Sequence, residues 1–188
     1  MVQLQRVAVL CASSLGVRDA YVTAARGLVS ELARRGMGVV YGGASVGLMG
    51  VVADAALAAG LEVIGVIPRA LDAKELAHPG LTELHVVDSM HARKAMMAEL
   101  ADGFLALPGG FGTLEELAEV LTWAQLGLHD KPCGVLDVAG YFTPLVTFFD
   151  HAVAEGLLRR EHRSMLLVDD DPARLLEAFA TWRPPLVA

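Results

Sequence analysis

Short runs of consecutive apolar residues alternate along this chain with longer stretches in which apolar positions recur every three or four residues. The run RVAVLCA at 6–12 is too continuous for a strand with one wet face and too short for a helix, as expected of a strand covered on both sides. The segment that follows, RDAYVTAARGLVSELARRG, puts Tyr21, Ala25, Leu28, Val29 and Leu32 on one helical face and closes at Gly36. The two patterns then repeat. Strands are predicted in GVVYGG, LEVIGVIP, ELHVV, GFLALPGG, PCGVLDV and MLLVDD, and helices near 47–60, 89–101, 112–128, 142–156 and 172–182. Buried strands separated by amphipathic helices predict an α/β fold, a Rossmann-like doubly wound parallel sheet flanked by helices on both faces. With no linker, repeat or low-complexity stretch, residues 1–188 are expected to form a single domain. Open parallel sheets bind ligands at the carboxyl ends of their strands, which singles out the loops at 11–17, 42–50, 68–80 and 108–113.

Composition narrows the partners. The chain has 22 acidic against 15 basic residues, a formal charge of −7, and no run of Lys or Arg longer than two, so no nucleic-acid-binding face is expected. Mean hydropathy is +0.48, and the most apolar region, 37–71, has the length of a membrane span. Five glycines interrupt the uncharged part from Met37 to Ala53, however, and Asp54 and Glu62 follow; buried strands and small-residue helices explain the region better than a membrane partner does. The N-terminal apolar run is about five residues, short of a signal peptide's ~7–15, so a cytoplasmic protein is expected. Cys11 and Cys133 each lie beside a strand-like run without Cys-x-x-Cys spacing and read as core residues. The six histidines form no metal-ligand pattern, and no metal is expected.

Several stretches carry candidate chemistry. YGGASVGLMG at 41–50 is rich in glycine after a strand, yet spells neither Gly-x-Gly-x-x-Gly nor a Walker A sequence. It does contain Gly43-Ala-Ser45-Val-Gly47, the spacing of a nucleophile elbow, so a serine hydrolase using Ser45 competes with a plain glycine turn. In SMHARKAMM, Ser89 is placed to cap a helix on which Met90, Arg93 and Met97 share a face. Arg93 there is either a snorkelling core-edge residue or a fork for phosphate or sugar oxygens. In LPGGFGTLEE at 107–116, Thr113 and Glu116 have the spacing of a capping box, which by itself needs no Pro-Gly-Gly ahead of it. Three glycines before a helix start gather free amides and the positive end of the helix dipole, the environment a phosphate monoester favours. Helical spacing puts Glu116 near the edge of the buried stripe formed by Leu114, Leu117, Ala118, Leu121 and Ala124.

Taken together, GLMG, IPRAL, LTELHVVDSMHARK with its MHARK, PGGFGTLEE and TWAQLGLHDKP, in this order along the chain, resemble the Lonely Guy family of cytokinin riboside 5′-monophosphate phosphoribohydrolases, often mislabelled as lysine decarboxylases. The resemblance spans nearly the whole chain, with CASS at 11–14 standing where the family usually has Cys-Gly-Ser-Ser. It implies hydrolysis of the N-glycosidic bond of a nucleoside 5′-monophosphate substrate, a cytokinin nucleotide or AMP, with release of free base and ribose 5-phosphate and without a cofactor. The implied catalytic pair is Arg93 and Glu116; the implied substrate contacts are Glu75, Arg93, Lys94 and the loop Gly110, Phe111, Gly112, Thr113, Leu114, Glu115 and Glu116. A homodimer is implied as well, in keeping with Trp123 and Leu126 lying outside the main apolar stripe of their helix. A pyridoxal-type decarboxylase would need a Schiff-base lysine, and the chain offers only Lys74, Lys94 and Lys131. A nucleotide-binding or carrier protein without turnover is the remaining alternative.

Overall fold

The computed structural model describes residues 4–72 and 76–185. Seven strands, β1 (Arg6–Leu10), β2 (Gly38–Tyr41), β3 (Val63–Pro68), β4 (Glu83–Val87), β5 (Gly103–Ala106), β6 (Cys133–Leu136) and β7 (Leu166–Asp169), form one sheet in the order β4-β3-β2-β1-β5-β6-β7, every pairing parallel. The helices are α1 (Asp19–Arg35), α2 (Gly47–Ala58), α3 (Arg69–Asp72), α4 (Met90–Leu100), α5 (Phe111–Gln125), α6 (Thr143–Ala154), α7 (Arg160–Arg163) and α8 (Pro172–Ala180). This is the expected doubly wound Rossmann-like sheet.

Alternation along each strand divides the interior into two cores. Val7, Val9, Val39 and Tyr41 face one side, where Leu28 and Leu32 of α1, Val52 and Ala56 of α2 and Phe179 of α8 pack on them. Ala8, Leu10, Val40 and Phe104 face the other, under Met97 of α4 and Leu117 and Val120 of α5. The central strand is fastened at its start by Asp102, whose carboxylate accepts the amides of Gln5 (2.7 Å) and Arg6 (2.9 Å).

Local signals account for most boundaries. Gly36 adopts the left-handed conformation at the end of α1, with φ +65°, and the Ser89 hydroxyl accepts the Ala92 amide at the start of α4. Strands end earlier than their apolar runs suggest: β1 stops at Leu10 and β5 at Ala106, the last pair in their shared register. The apolar residues beyond them belong to the loops that build the cleft. The four-residue α3 and α7 are too short to show a helical period in the sequence. Helix α6 occurs where expected but contains no fully buried residue, and its Phe148 is 60% exposed. Among the described residues, no helix is long and apolar enough to cross a membrane.

The first core closes on Phe179, which is 1% exposed. Phe179→Ala is expected to cost about 3–5 kcal/mol, read as a lower urea midpoint at unchanged slope.

Candidate active site

Strand β1 is the point where the sheet changes winding direction: the chain passes to β2 on one side and, after β4, returns to β5 on the other. The loops leaving β1 and β5 therefore separate over opposite faces and leave a crevice between them. A cleft of about 310 Å³ lies there, walled by the turn Cys11–Ser14, by Met49 of α2, by Met90 and Arg93 of α4, and by the start of α5. A larger groove, about 800 Å³, opens at the opposite end of the strands, but its charged side chains already have partners within the chain, Arg6 with Glu62 and Arg35 with Glu31.

The start of α5 differs from the expected capping box. The helix begins at Phe111, two residues before Thr113, with Gly110 at the cap position and no side chain capping it. Thr113 is consequently inside the first turn and 3% exposed, and Glu116 is turned elsewhere, so the two do not cap the helix reciprocally. Glycine as cap leaves the first-turn amides free of side-chain acceptors, and the helix dipole adds to them. Gly110, Gly112 and Thr113 all line the cleft. Phe111 stands 94% exposed at its rim, while Leu114 faces back into the second core.

Glu116 lies inside the apolar stripe rather than at its edge, 9% exposed. Its partner compensates: the Arg93 guanidinium, 8% exposed, donates through Nη1 to Glu116 Oε1 and through Nε to the Val66 carbonyl at 3.1 Å. Helix α4 thus delivers Arg93 across the carboxyl end of β3 to a carboxylate on α5. Room for it comes from Gly42, because a Cβ there would overlap Arg93 Nη2. Two charges withdrawn from water attract strongly, yet much of that attraction offsets their desolvation. The net effect is to fix a carboxylate and a guanidinium against a cleft wall in one geometry.

Lys94 takes another direction. Its ammonium pairs with Glu115 and, at 2.9 Å, with Glu119, and it does not line the cleft. Burial works to lower the Lys94 pKa, but hydrogen bonds to the two carboxylates carry it above the ordinary lysine value. Glu75 lies outside the described residues. The segment just after it is tied to the glycine loop through Ser45 N to Leu76 O and His78 N to Gly43 O, each 2.9 Å. The glycines of 42–47 therefore let chain segments approach one another; Met49 is the part of YGGASVGLMG that reaches the cleft.

The same region disposes of a hydrolytic serine. His78 and Asp54 do pair in the fold, and the His78 amide bonds the Gly43 carbonyl two residues before Ser45, a pairing the sequence did not reveal. His78 Nε2, however, bonds Asp54 Oδ1 at 3.0 Å and its Nδ1 accepts the Gly80 amide at 3.1 Å, so no ring nitrogen is left for Ser45. The Ser45 hydroxyl points to the Leu76 carbonyl instead, at 3.4 Å. Cys11, expected in the core, forms part of the cleft wall; burial, then the Glu116 charge, pushes its thiol far above the ordinary range, with Arg93 opposing, so it stays protonated at neutral pH. Nor do the two described lysines fit a pyridoxal group: Lys94 is held by two acids, and Lys131 Nζ donates to the Ala98 carbonyl at 2.6 Å; Lys74 lies outside the described residues.

Residues 49–179 match the model of a family described as "Possible lysine decarboxylase". Over 182 residues the chain is 48% identical to a probable cytokinin riboside 5′-monophosphate phosphoribohydrolase of Oryza sativa subsp. japonica, covering 97% of this chain and 75% of that protein. It is 46% identical to a cytokinin riboside 5′-monophosphate phosphoribohydrolase of Arabidopsis thaliana, covering 97% and 80%. Among solved structures, the molybdenum cofactor carrier protein of Chlamydomonas reinhardtii superimposes with a TM-score of 0.70 at 22% identity, over 94% of this chain and 96% of that one, a likeness of fold. With close to half of its residues identical over nearly its full length, the chain belongs to the Lonely Guy family of cytokinin riboside 5′-monophosphate phosphoribohydrolases.

Proposed function

We propose that this protein hydrolyses the N-glycosidic bond of cytokinin nucleoside 5′-monophosphates and of AMP, releasing free base and ribose 5-phosphate. The observation that carries this reading is the buried Arg93–Glu116 pair beside an amide-rich helix start in one cleft. Thr113 and Glu116 are three residues apart on α5, a rise of about 4.5 Å along one face. A phosphate seated on the amides of Gly110, Gly112 and Thr113 thereby leaves its ribose lying along the helix toward the carboxylate.

Cleavage of the bond between the anomeric carbon and the base nitrogen sends the electron pair out with the base and leaves an oxocarbenium-like sugar. Glu116 stabilises that positive charge, orients a water toward the anomeric carbon and takes its proton as the new C–O bond forms; the departing base nitrogen takes a proton from solvent, and Glu116 returns its own to solvent after the sugar is hydrolysed. Arg93 holds Glu116 in register and offers its remaining N–H groups to sugar oxygens. Met49 and Met90 give the cleft a deformable apolar wall suited to a base. Glu75 is assigned to the ribose hydroxyls. Lys94, paired with Glu115 and Glu119, acts by bracing α4 against α5.

The working form is a homodimer in this reading, supported by the exposed apolar residues Leu126 and Leu128 just past the end of α5 and Phe148 on α6. Cys11 and Cys133, both free thiols, agree with a reducing cytoplasm. Sedimentation equilibrium is expected to give twice the mass of one chain.

Glu116→Gln is expected to lower base release from AMP or isopentenyl-AMP by at least about 100-fold with little change in KM. It also leaves Arg93 short of its counter-charge, so a lower unfolding midpoint accompanies the loss; circular dichroism at the assay temperature checks that the fold persists. Near-normal turnover would defeat the assignment. Gly42→Ala pushes Arg93 off Glu116 and is expected to cut kcat by about 10- to 100-fold, although residue 42 touches neither sugar nor water.

A further inference from the structure

The turn between β6 and α6 is built unlike any other described part of the chain. Ala139 has φ +52°, the only described non-glycine residue with positive φ, inside a short 3-10 turn at Val138–Gly140. Asp137 holds that turn from below: one carboxylate oxygen accepts the Phe142 amide at 2.5 Å and the other the Thr143 hydroxyl at 2.8 Å. What the arrangement presents is Tyr141. Its ring meets Tyr21 edge-on at 5.7 Å and Phe142 at 5.1 Å, and its hydroxyl donates to the Gly109 carbonyl at 2.6 Å, bridging 32 positions of sequence. Gly109 is enclosed on another side by Thr113, since a Cβ on Gly109 would collide with that side chain. Tyr141 and Gly109 line a recess of about 220 Å³ that adjoins the cleft through Ala12, Ser14 and Gly110.

In a trans peptide the C=O and the following N–H point in opposite directions. Fastening the Gly109 carbonyl on the Tyr141 side therefore turns the Gly110 N–H away from that recess. A Gly-Gly peptide has little steric resistance to flipping, and flipped it would aim a carbonyl where the N–H had been, repelling an anion. We infer that Tyr141 is a positioning residue for phosphate recognition: it acts through Gly109 to hold the Gly110 amide toward the phosphate of the substrate. The strained Ala139 turn and the Asp137 bonds place the hydroxyl, and Tyr21 steadies its ring.

The inference rests on the phosphoribohydrolase reading for its substrate, but its test does not depend on turnover. Tyr141→Phe removes the hydroxyl and retains the ring contacts. Binding of ribose 5-phosphate and of inorganic phosphate, measured by titration calorimetry, is expected to weaken about tenfold in this variant, the effect of losing one well-placed hydrogen bond. With AMP as substrate, KM rises by a similar factor while kcat stays within about twofold, and the affinity for adenosine, which lacks the phosphate, is unchanged. Equal affinity of Tyr141→Phe and the unaltered protein for ribose 5-phosphate would overturn the inference. So would an equal loss of affinity for ribose 5-phosphate and adenosine, the mark of a general structural role, or an unaltered protein that binds no ribose 5-phosphate. An unaltered protein that binds ribose 5-phosphate but releases no base refutes the hydrolase reading alone; the ratio of affinities still decides the role of Tyr141.

Discussion

The reversal of winding at β1 is the constraint on which the rest of this molecule depends. A right-handed crossover from one parallel strand to its neighbour has to cover one face of the sheet, and a chain that moves outward from the centre in both directions has to cover both. The two central strands, β1 and β5, then send their exits to opposite sides, and nothing in the connectivity closes the space between them. Every group assembled in the cleft is delivered there by an exit loop or by the helix that follows one. The apolar strands below, packed into both cores, supply the floor on which the polar loop 11–14 and the glycine-rich loop 108–113 rest.

Within that frame, fold and chemistry place opposite demands on the same residues. A helix beginning with a good side-chain cap is more stable than one beginning with glycine, yet a capping oxygen would occupy the amides an anion needs. Helix α5 omits the cap and draws its stability from Leu117 and Val120 in the second core. Glu116 similarly occupies a position that, by burial, would suit a leucine. Its charge is tolerated because Arg93 is brought to it, and Arg93 in turn because Gly42 has no side chain and the Val66 carbonyl accepts its Nε–H. Removing any member leaves a buried charge exposed to the cost of its own desolvation.

The fold was legible in the sequence because strand and helix periods are written over many residues, and buried parallel strands differ plainly from one-sided ones. Arg93 and Glu116 were legible too, through the long motifs MHARK and PGGFGTLEE, though the geometry that joins them was not. Thr113 and Glu116 have the spacing of a capping box, and only the three-dimensional path of α4 reveals that Glu116 has a stronger partner 23 residues away. Gly42 reads as one more turn glycine until the guanidinium beside it is seen. The encounter of His78 with Asp54, and of Tyr141 with Gly109, joins residues 24 and 32 positions apart, pairings that no local pattern encodes.

Consecutive residues of α4, Arg93 and Lys94, are both bonded to α5, one to Glu116 inside the cleft and the other to Glu115 and Glu119 behind it. A single ion pair between two helices is a pivot, about which either helix can rotate without losing the bond. Two attachments side by side, on opposite flanks of the same helix turn, remove that rotation, and the helices move as one plate. The carboxylate and the guanidinium thus keep their separation whatever the outer loops do. Any adjustment in the width of the cleft has to come from the opposite wall, where Met49 and the Cys11–Ser14 turn can yield without disturbing the ion pair.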